Sequence, residues 1–213
     1  EQLKAYTEMK KAAITFFEEN VMTAASVLTQ MIRLHQIICG HVKTDDGEIK
    51  SIKSNRIKEL LEVLEETNGK VIIWAVYRYD IQEIEKTLGE KYGKESVATY
   101  YGDTKDSIRQ SIVDRFMDAD DDLRFFVGNP KTGGYGLTLT SSHTVVYYSN
   151  DYSLEVRLQS EDRAHRIGQT NKVTYVDLIA DHTIDEKIVK ALNAKIDLAS
   201  QVMGEDPKKI LFG

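Results

Sequence analysis

KVIIWAVYRYDIQEIEKTL, residues 70–88, opens with a nearly unbroken apolar run, Val71 to Val76, and then turns amphipathic. An apolar run of that length suits a strand buried on both faces, which is the situation inside a parallel sheet covered by helices. The same alternation continues outward along the chain. Ser96–Tyr101, Leu123–Val127, Thr144–Ser149 and Val173–Ile179 are rich in β-forming residues. Between them, about Tyr79–Tyr92, Thr104–Met117 and Ser153–Ile167 carry helical patterns. Strand–helix alternation at this spacing predicts an α/β fold: a parallel sheet with helices on both faces.

The flanks are helical. About Leu3 to Ile38 contains neither Pro nor Gly and reads as helix, and Lys43-Thr-Asp-Asp-Gly47 reads as a polar turn. Ile57, Leu60, Leu61 and Leu64 share one helical face, with Asn68-Gly69 as a stop. Thr183 and Glu186 have capping-box spacing ahead of a last helix that carries Ile184, Ile188, Ala191, Leu192 and Leu198. The expected organisation is a helical lead-in over 1–68, an α/β domain over 69–182, and a C-terminal helix and tail over 183–213.

The 213 residues are 41% hydrophobic and 29% charged, an ordinary globular balance large enough for a core without metal or disulfide staples. No apolar run reaches membrane-spanning length, so no membrane partner is expected, and Glu1, Gln2 and Lys4 do not make a signal peptide. Both point to the cell interior. Cys39, the sole cysteine, excludes an intrachain disulfide and reads as a small core residue. A net charge of −6 argues against a generally basic nucleic-acid coat, so any such contact must be local.

Ligands of open parallel sheets bind beyond the carboxyl ends of the strands, where three segments stand out. In QSEDRAHRIGQ, Gln159, Arg163 and Arg166 fall at i, i+4 and i+7, on one face of the expected helix. Two guanidiniums there can clamp a phosphate bidentately. The plainer reading is helix bracing, because Asp162 precedes Arg166 by four residues and Glu155 precedes Gln159 by four. Lys131-Thr-Gly-Gly-Tyr-Gly136 could bring backbone amides close to a phosphate, although tight turns use the same glycines. Gly102-Asp103-Thr104, at a strand-to-helix junction, could hold an anion, or Thr104 could simply cap the helix. No Walker A loop, H-E-x-x-H pattern or G-x-S-x-G elbow occurs. Tyr147 and Tyr148 read as packing residues.

These segments stand in the order seen in the C-terminal lobe of Swi/Snf-type ATPases of helicase superfamily two. VLTQMIRLHQIICGHV resembles the helix ahead of that lobe, and KVIIWAVYRYDIQEIEKTL its first strand and helix. TYYGDTKDSIRQSIVDRFMDADDDLRFFV is similar to the next helix–strand unit. NPKTGGYGLTLTSSHTVVYYS resembles the fifth motif, QSEDRAHRIGQT the sixth, and VTYVDLIADHTIDEKIVKAL the segment returning across the lobes. The resemblance covers nearly the whole chain and implies a RecA-like fold. It departs at Thr138 (the family has Asn), at Ser149 (Asp) and at Tyr152-Ser153-Leu154 (Trp-Asn-Pro). Those departures are closer to phage or bacterial members than to eukaryotic remodellers.

The resemblance implies an ATP-dependent DNA translocase or helicase of which this chain is the second lobe. Arg163 and Arg166 would be arginine fingers, with Gln159 beside them, reaching ATP and Mg held mainly by a first lobe of the same polypeptide. Gly134 and Gly136 would line the nucleotide cleft. Lys131, Thr132, Gly102 and Thr104 would touch one DNA strand's backbone, and Arg78 lies in a loop that would approach it. By this reading the chain alone is catalytically incomplete, in the cytoplasm of a bacterial or phage-infected cell, or the nucleus of a eukaryote. The rival is a free-standing Rossmann-like module binding a nucleotide or a protein. A reading frame continuing upstream of Glu1 into a Walker A loop would decide for the motor.

Overall fold

In the computed structural model, Val71 and Ile73 point to one side of a sheet while Ile72 and Trp74 point to the other, and all four are fully buried. This is why the strand carries no polar alternation. The structure describes residues 1–19, 24–44, 46–133, 136–166, 169 and 172–203. Two lead-in helices, α1 (Gln2–Glu19) and α2 (Ala24–Cys39), precede a hairpin of β1 (His41–Lys43) and β2 (Ile49–Ser51). Then come α3 (Arg56–Glu65), β3 (Lys70–Trp74), α4 (Arg78–Tyr92), β4 (Val97–Tyr100), α5 (Asp106–Met117) and β5 (Phe125–Gly128). The chain continues through α6 (Pro130–Gly133), β6 (Ser142–Tyr147), α7 (Leu154–Asp162), β7 (Thr174–Asp177) and α8 (Ile184–Met203).

The main sheet is ordered β4-β5-β3-β6-β7 and every neighbouring pair is parallel. In register, Ile72 sits between Phe126 and Val145, all on one face. That face packs Ile112 and Phe116 of α5, and Ala164 just past α7. The opposite face packs Leu60 and Leu64 of α3 with Ile81, Ile84 and Leu88 of α4. Each such side chain withdrawn from water stabilises the fold by about 1.5–3 kcal/mol. A third cluster, Tyr6, Ile37, Ile38, Ile184, Ile188 and Leu192, joins α1 and α2 to α8.

All five expected strands are present, shifted by a residue or two. The stretch read as helical, about Leu3 to Ile38, holds α1 and α2 among the described residues, and the polar turn joins β1 to β2, with Gly47 N donating to Thr44 O at 3.0 Å. Three readings, all at helix ends, need correction. The helix expected over Ser153–Ile167 stops at Asp162, with Arg163 as its C-cap. Thr104 does not cap α5, whose N-cap is Lys105 without a side-chain bond. At α8, Thr183 Oγ1 accepts from Asp185 N at 3.2 Å, one residue earlier than a capping box requires.

Chain direction diverges after β3 and β6: the first runs on to β4 on one side, the second to β7 on the other. Neighbouring strands of that kind open a crevice at their carboxyl ends. Here it is zipped shut at its base. Tyr148 N donates to Trp74 O, and Val76 N donates to Ser149 Oγ, each at 2.9 Å. Ser149 thus fills its place with a short hydroxyl that satisfies the β3 loop directly.

Candidate functional site

Lys131, Thr132, Arg78, Gly102 and Thr104 lie at the carboxyl edge of the sheet, as expected, whereas the arginines do not. α7 starts at that edge and runs back along the sheet, so Arg163, whose carbonyl accepts from Leu139 N, and Arg166, which reaches Thr138, stand beside the segment entering the amino end of β6. Asn129 organises the middle of the carboxyl edge. Its Nδ2 donates to Val76 O at 2.8 Å and its Oδ1 accepts from Lys131 N at 2.9 Å, tying the loop after β5 to the loop after β3. Lys131 then reaches past β3 to the loop after β6, pairing with Asp151 Oδ2 at 2.8 Å. Arg78, after β3, reaches past β5 to Asp103, after β4, at 2.7 Å. Two ion pairs therefore straddle the ridge in opposite directions. Both cations are more than half exposed.

Thr104 and Gly102 behave differently from each other. The Thr104 hydroxyl donates to Thr99 O and accepts from Tyr101 N, both at 3.0 Å, so it shapes the turn. Nothing stands within 4 Å of where a Gly102 side chain would be, leaving the backbone there open to a ligand. Thr132 is half-buried, and its N–H donates to Asn129 O at 3.1 Å. Gly136 has a φ of +76°, which glycine adopts without strain, and it faces open space. Gly134 lies outside the described residues.

The two arginines part company. Because the helix ends at Asp162, they do not project from one continuous face. Arg163 is 6% exposed, and burial lowers the pKa of its guanidinium. Its Nε donates to Gln159 O at 3.0 Å and its Nη1 to Leu137 O at 3.1 Å, while its own carbonyl accepts from Leu139 N at 2.9 Å. Arg163 thus stitches the end of α7 to the 137–139 strip. Arg166 is exposed; its carbonyl accepts from Gln169 N at 2.9 Å, and its guanidinium donates from Nη1 to Thr138 Oγ1 at 2.8 Å. Gln159 is bonded to Glu155 at 3.0 Å, the helix-bracing contact its spacing allows. Asp162 does not brace Arg166.

Sequence reasoning passed over Arg157, the most heavily bonded side chain of α7. It grips Asp177 of β7 at 2.5 and 3.2 Å, Glu161 at 2.7 Å and Asn150 at 2.7 Å. Its guanidinium carbon also lies 3.6 Å from the centroid of the Tyr147 ring. These partners raise its pKa further despite burial. The i,i+4 spacing to Glu161 was visible in sequence, whereas Asp177, from another strand, gave no local signal. Also missed was a buried junction in which Arg56 of α3 pairs with Asp185 of α8 and donates to Tyr148 O and, at 3.0 Å, to Leu178 O. His35 of α2 joins it, 3.5 Å from Asp185 and bonded to the Tyr77 hydroxyl at 2.9 Å.

Residues 52–168, more than half of the chain, match the model of the "Helicase conserved C-terminal domain" family. The chain belongs to this family. The match takes in the carboxyl-edge loops, α7 and Arg166. "ATP-dependent helicase fft2" of Schizosaccharomyces pombe is 30% identical over 196 residues, which is 91% of this chain and 15% of that protein. The solved "C-terminal part of Fun30 ATPase domain" is 28% identical, with a TM-score of 0.60 over 66% of this chain and 46% of its own. The Sulfolobus solfataricus "SWI2/SNF2 ATPase core in complex with dsDNA" superposes with a TM-score of 0.73 over 98% of this chain and 44% of its own. At 22% identity that likeness shows the fold alone. The helicase C-terminal lobe is thus homologous to the C-terminal lobes of Snf2-family ATPases and shares their RecA-like sheet. It spans 15% of the yeast relative and under half of each solved chain. None of these relatives supports a phage or bacterial origin.

Proposed function

We propose that this chain is the second lobe of an ATP-dependent DNA translocase or helicase, acting on ATP and Mg bound mainly by a first lobe of the same polypeptide. The observation that carries the reading is Arg166: an exposed guanidinium held by one neutral hydroxyl, just past α7, inside the matched family segment. A guanidinium so lightly tethered can exchange Thr138 for a phosphate oxygen. ATP would supply the phosphoryl group on which negative charge is redistributed during hydrolysis, and arginines aimed there accelerate related NTPases roughly 10³–10⁵-fold. Gly136 offers an open backbone two residues before Thr138, and Gln159 and Gly134 would complete the proposed nucleotide side.

Arg163 has a different part in this reading. Already spent on the carbonyls of Gln159 and Leu137, it fixes the strip from which Thr138 and Arg166 act. Lys131, Arg78, the Gly102 backbone and Thr132 would contact DNA phosphates, while Thr104 shapes its loop. For a eukaryotic chain this function places the protein in the nucleus.

The test is DNA-stimulated ATP turnover by the intact two-lobe protein carrying Arg166→Ala or Arg166→Lys. Turnover should fall by at least tenfold in both, since a single ammonium cannot reproduce a planar fork, with the melting temperature unchanged. Normal turnover in Arg166→Ala would defeat the reading.

A further inference from the structure

The Lys131–Asp151 pair joins two parts of the molecule that the proposed function uses separately. Lys131 is on α6, at the proposed DNA edge, and is 62% exposed. Asp151 is only 10% exposed, and its two carboxylate oxygens are divided. Oδ2 takes the Lys131 ammonium at 2.8 Å, while Oδ1 accepts the backbone N–H of Ser153 at 2.9 Å. Ser153 is the N-cap of α7, and its side chain accepts from Val156 N at 3.4 Å. α7 leads directly to Arg163 and Arg166. α6 and α7 also pack against one another. One carboxylate therefore touches both the residue that would meet DNA and the start of the helix that carries the arginines.

We propose that Asp151 is a positioning residue: it occupies Lys131 in the absence of DNA and reports to α7 when a DNA phosphate takes the lysine away. The inference rests on the proposed DNA contact of Lys131. A phosphate and a carboxylate offer the ammonium the same kind of anionic oxygen, so they compete for it. DNA gains in addition from the counterions it releases when a cation neutralises it. The lysine end of the pair is exposed, so solvent weakens the contact and a phosphate can reach the ammonium. Once Oδ2 loses the ammonium, the charge of Asp151 is no longer neutralised from the α6 side. The Ser153 N–H and the positive end of α7 become its nearest compensation, drawing the helix start toward it. The displacement is transmitted along a single nine-residue helix, α7, to Arg163 at its C-cap.

Asp151→Asn isolates this role, because an asparagine oxygen still accepts from Ser153 N while the attraction for Lys131 is lost. In the intact two-lobe protein, that variant should bind duplex DNA roughly two- to fivefold more tightly, the range expected on releasing an exposed cation from its partner. The ratio of DNA-stimulated to DNA-free ATP turnover should fall severalfold, because the two states no longer differ at Asp151. Both changes should vanish when Lys131→Ala is added. A purely structural Asp151 would move the melting temperature and leave that ratio alone. A wild-type ratio and affinity in Asp151→Asn, with Lys131→Ala still weakening DNA binding, overturns the coupling and spares the DNA contact. DNA affinity unaltered by Lys131→Ala overturns the DNA contact and the coupling together.

Discussion

Arg163 and Arg166 stand three residues apart in one motif, yet one is embedded and the other stands in solvent, and their substitutions should separate accordingly. Arg163→Ala strands the carbonyls of Leu137 and Gln159 without their donor. Leaving buried acceptors unmatched costs roughly 1–3 kcal/mol, and a chain of this size loses about 2–4 °C of melting temperature per kcal/mol. Arg163→Ala should therefore lower both melting temperature and turnover, whereas Arg166→Ala lowers turnover alone. Thermal melts of both variants beside their ATPase rates check this, and equal melting temperatures would contradict the division. Gly128 makes a second residue-scale case. A side chain there would come within 2.8 Å of the Trp74 ring and 3.1 Å of Tyr100 O, at the end of β5. Trp74 is fully buried and cannot yield, so Gly128→Ala should destabilise by roughly 1–3 kcal/mol through overpacking, read from a urea midpoint.

At the scale of elements, what the sequence displays and what it hides follow from how local each signal is. Val71–Val76 announces a two-sided strand because burial acts on consecutive residues. The end of α7 is hidden because it depends on Leu139 N and Leu137 O capturing Arg163 from another segment. Thr104 sits one residue ahead of the α5 N-cap position and is diverted by Thr99 O, a contact no spacing rule contains. The candidate residues at the carboxyl edge were legible as types, while their pairing across it was not: Asp103 and Asp151 became partners only through the strand order, and the place of Arg163 and Arg166 beside the segment before β6 follows from α7 running back along the sheet. The same applies to the junction of α2, α3 and α8. Burial depresses the pKa of His35 from 6.5 to about 4, against the pull of Asp185. The folded protein thus keeps His35 neutral while the unfolded chain takes up a proton first as pH falls. Stability from this group is complete above about pH 6.5 and is lost down to about pH 4, by roughly 3 kcal/mol in all. Asp80, whose carboxyl burial pushes up, opposes that slope at its acidic end. A His35→Gln variant should flatten the stability profile between pH 6.5 and 4 relative to the parent, and identical profiles would show that His35 does not govern it.

At the scale of the whole molecule, charge decides how the lobe would hold DNA if the proposed function is right. The chain carries 34 acidic against 28 basic side chains, so at long range it repels a polyanion. On the proposed function the attraction comes from the carboxyl edge, where Arg78 and Lys131 are both engaged with carboxylates. Binding by this chain alone should be weak, because each contact first gives up an internal partner. It should also be steep in salt, since each phosphate neutralised on duplex DNA contributes about −0.9 to the slope of log affinity against log salt. Two such contacts give a slope near about −2, and Lys131→Ala should reduce its magnitude by about one. Removing Asp103 by Asp103→Asn should strengthen binding while leaving the slope nearly unchanged, because Arg78 still neutralises one phosphate. Fluorescence titrations of labelled duplex across a salt series measure all three. A flat salt dependence, or selectivity for one base sequence over another, would mean that the ridge reads something other than the phosphate backbone.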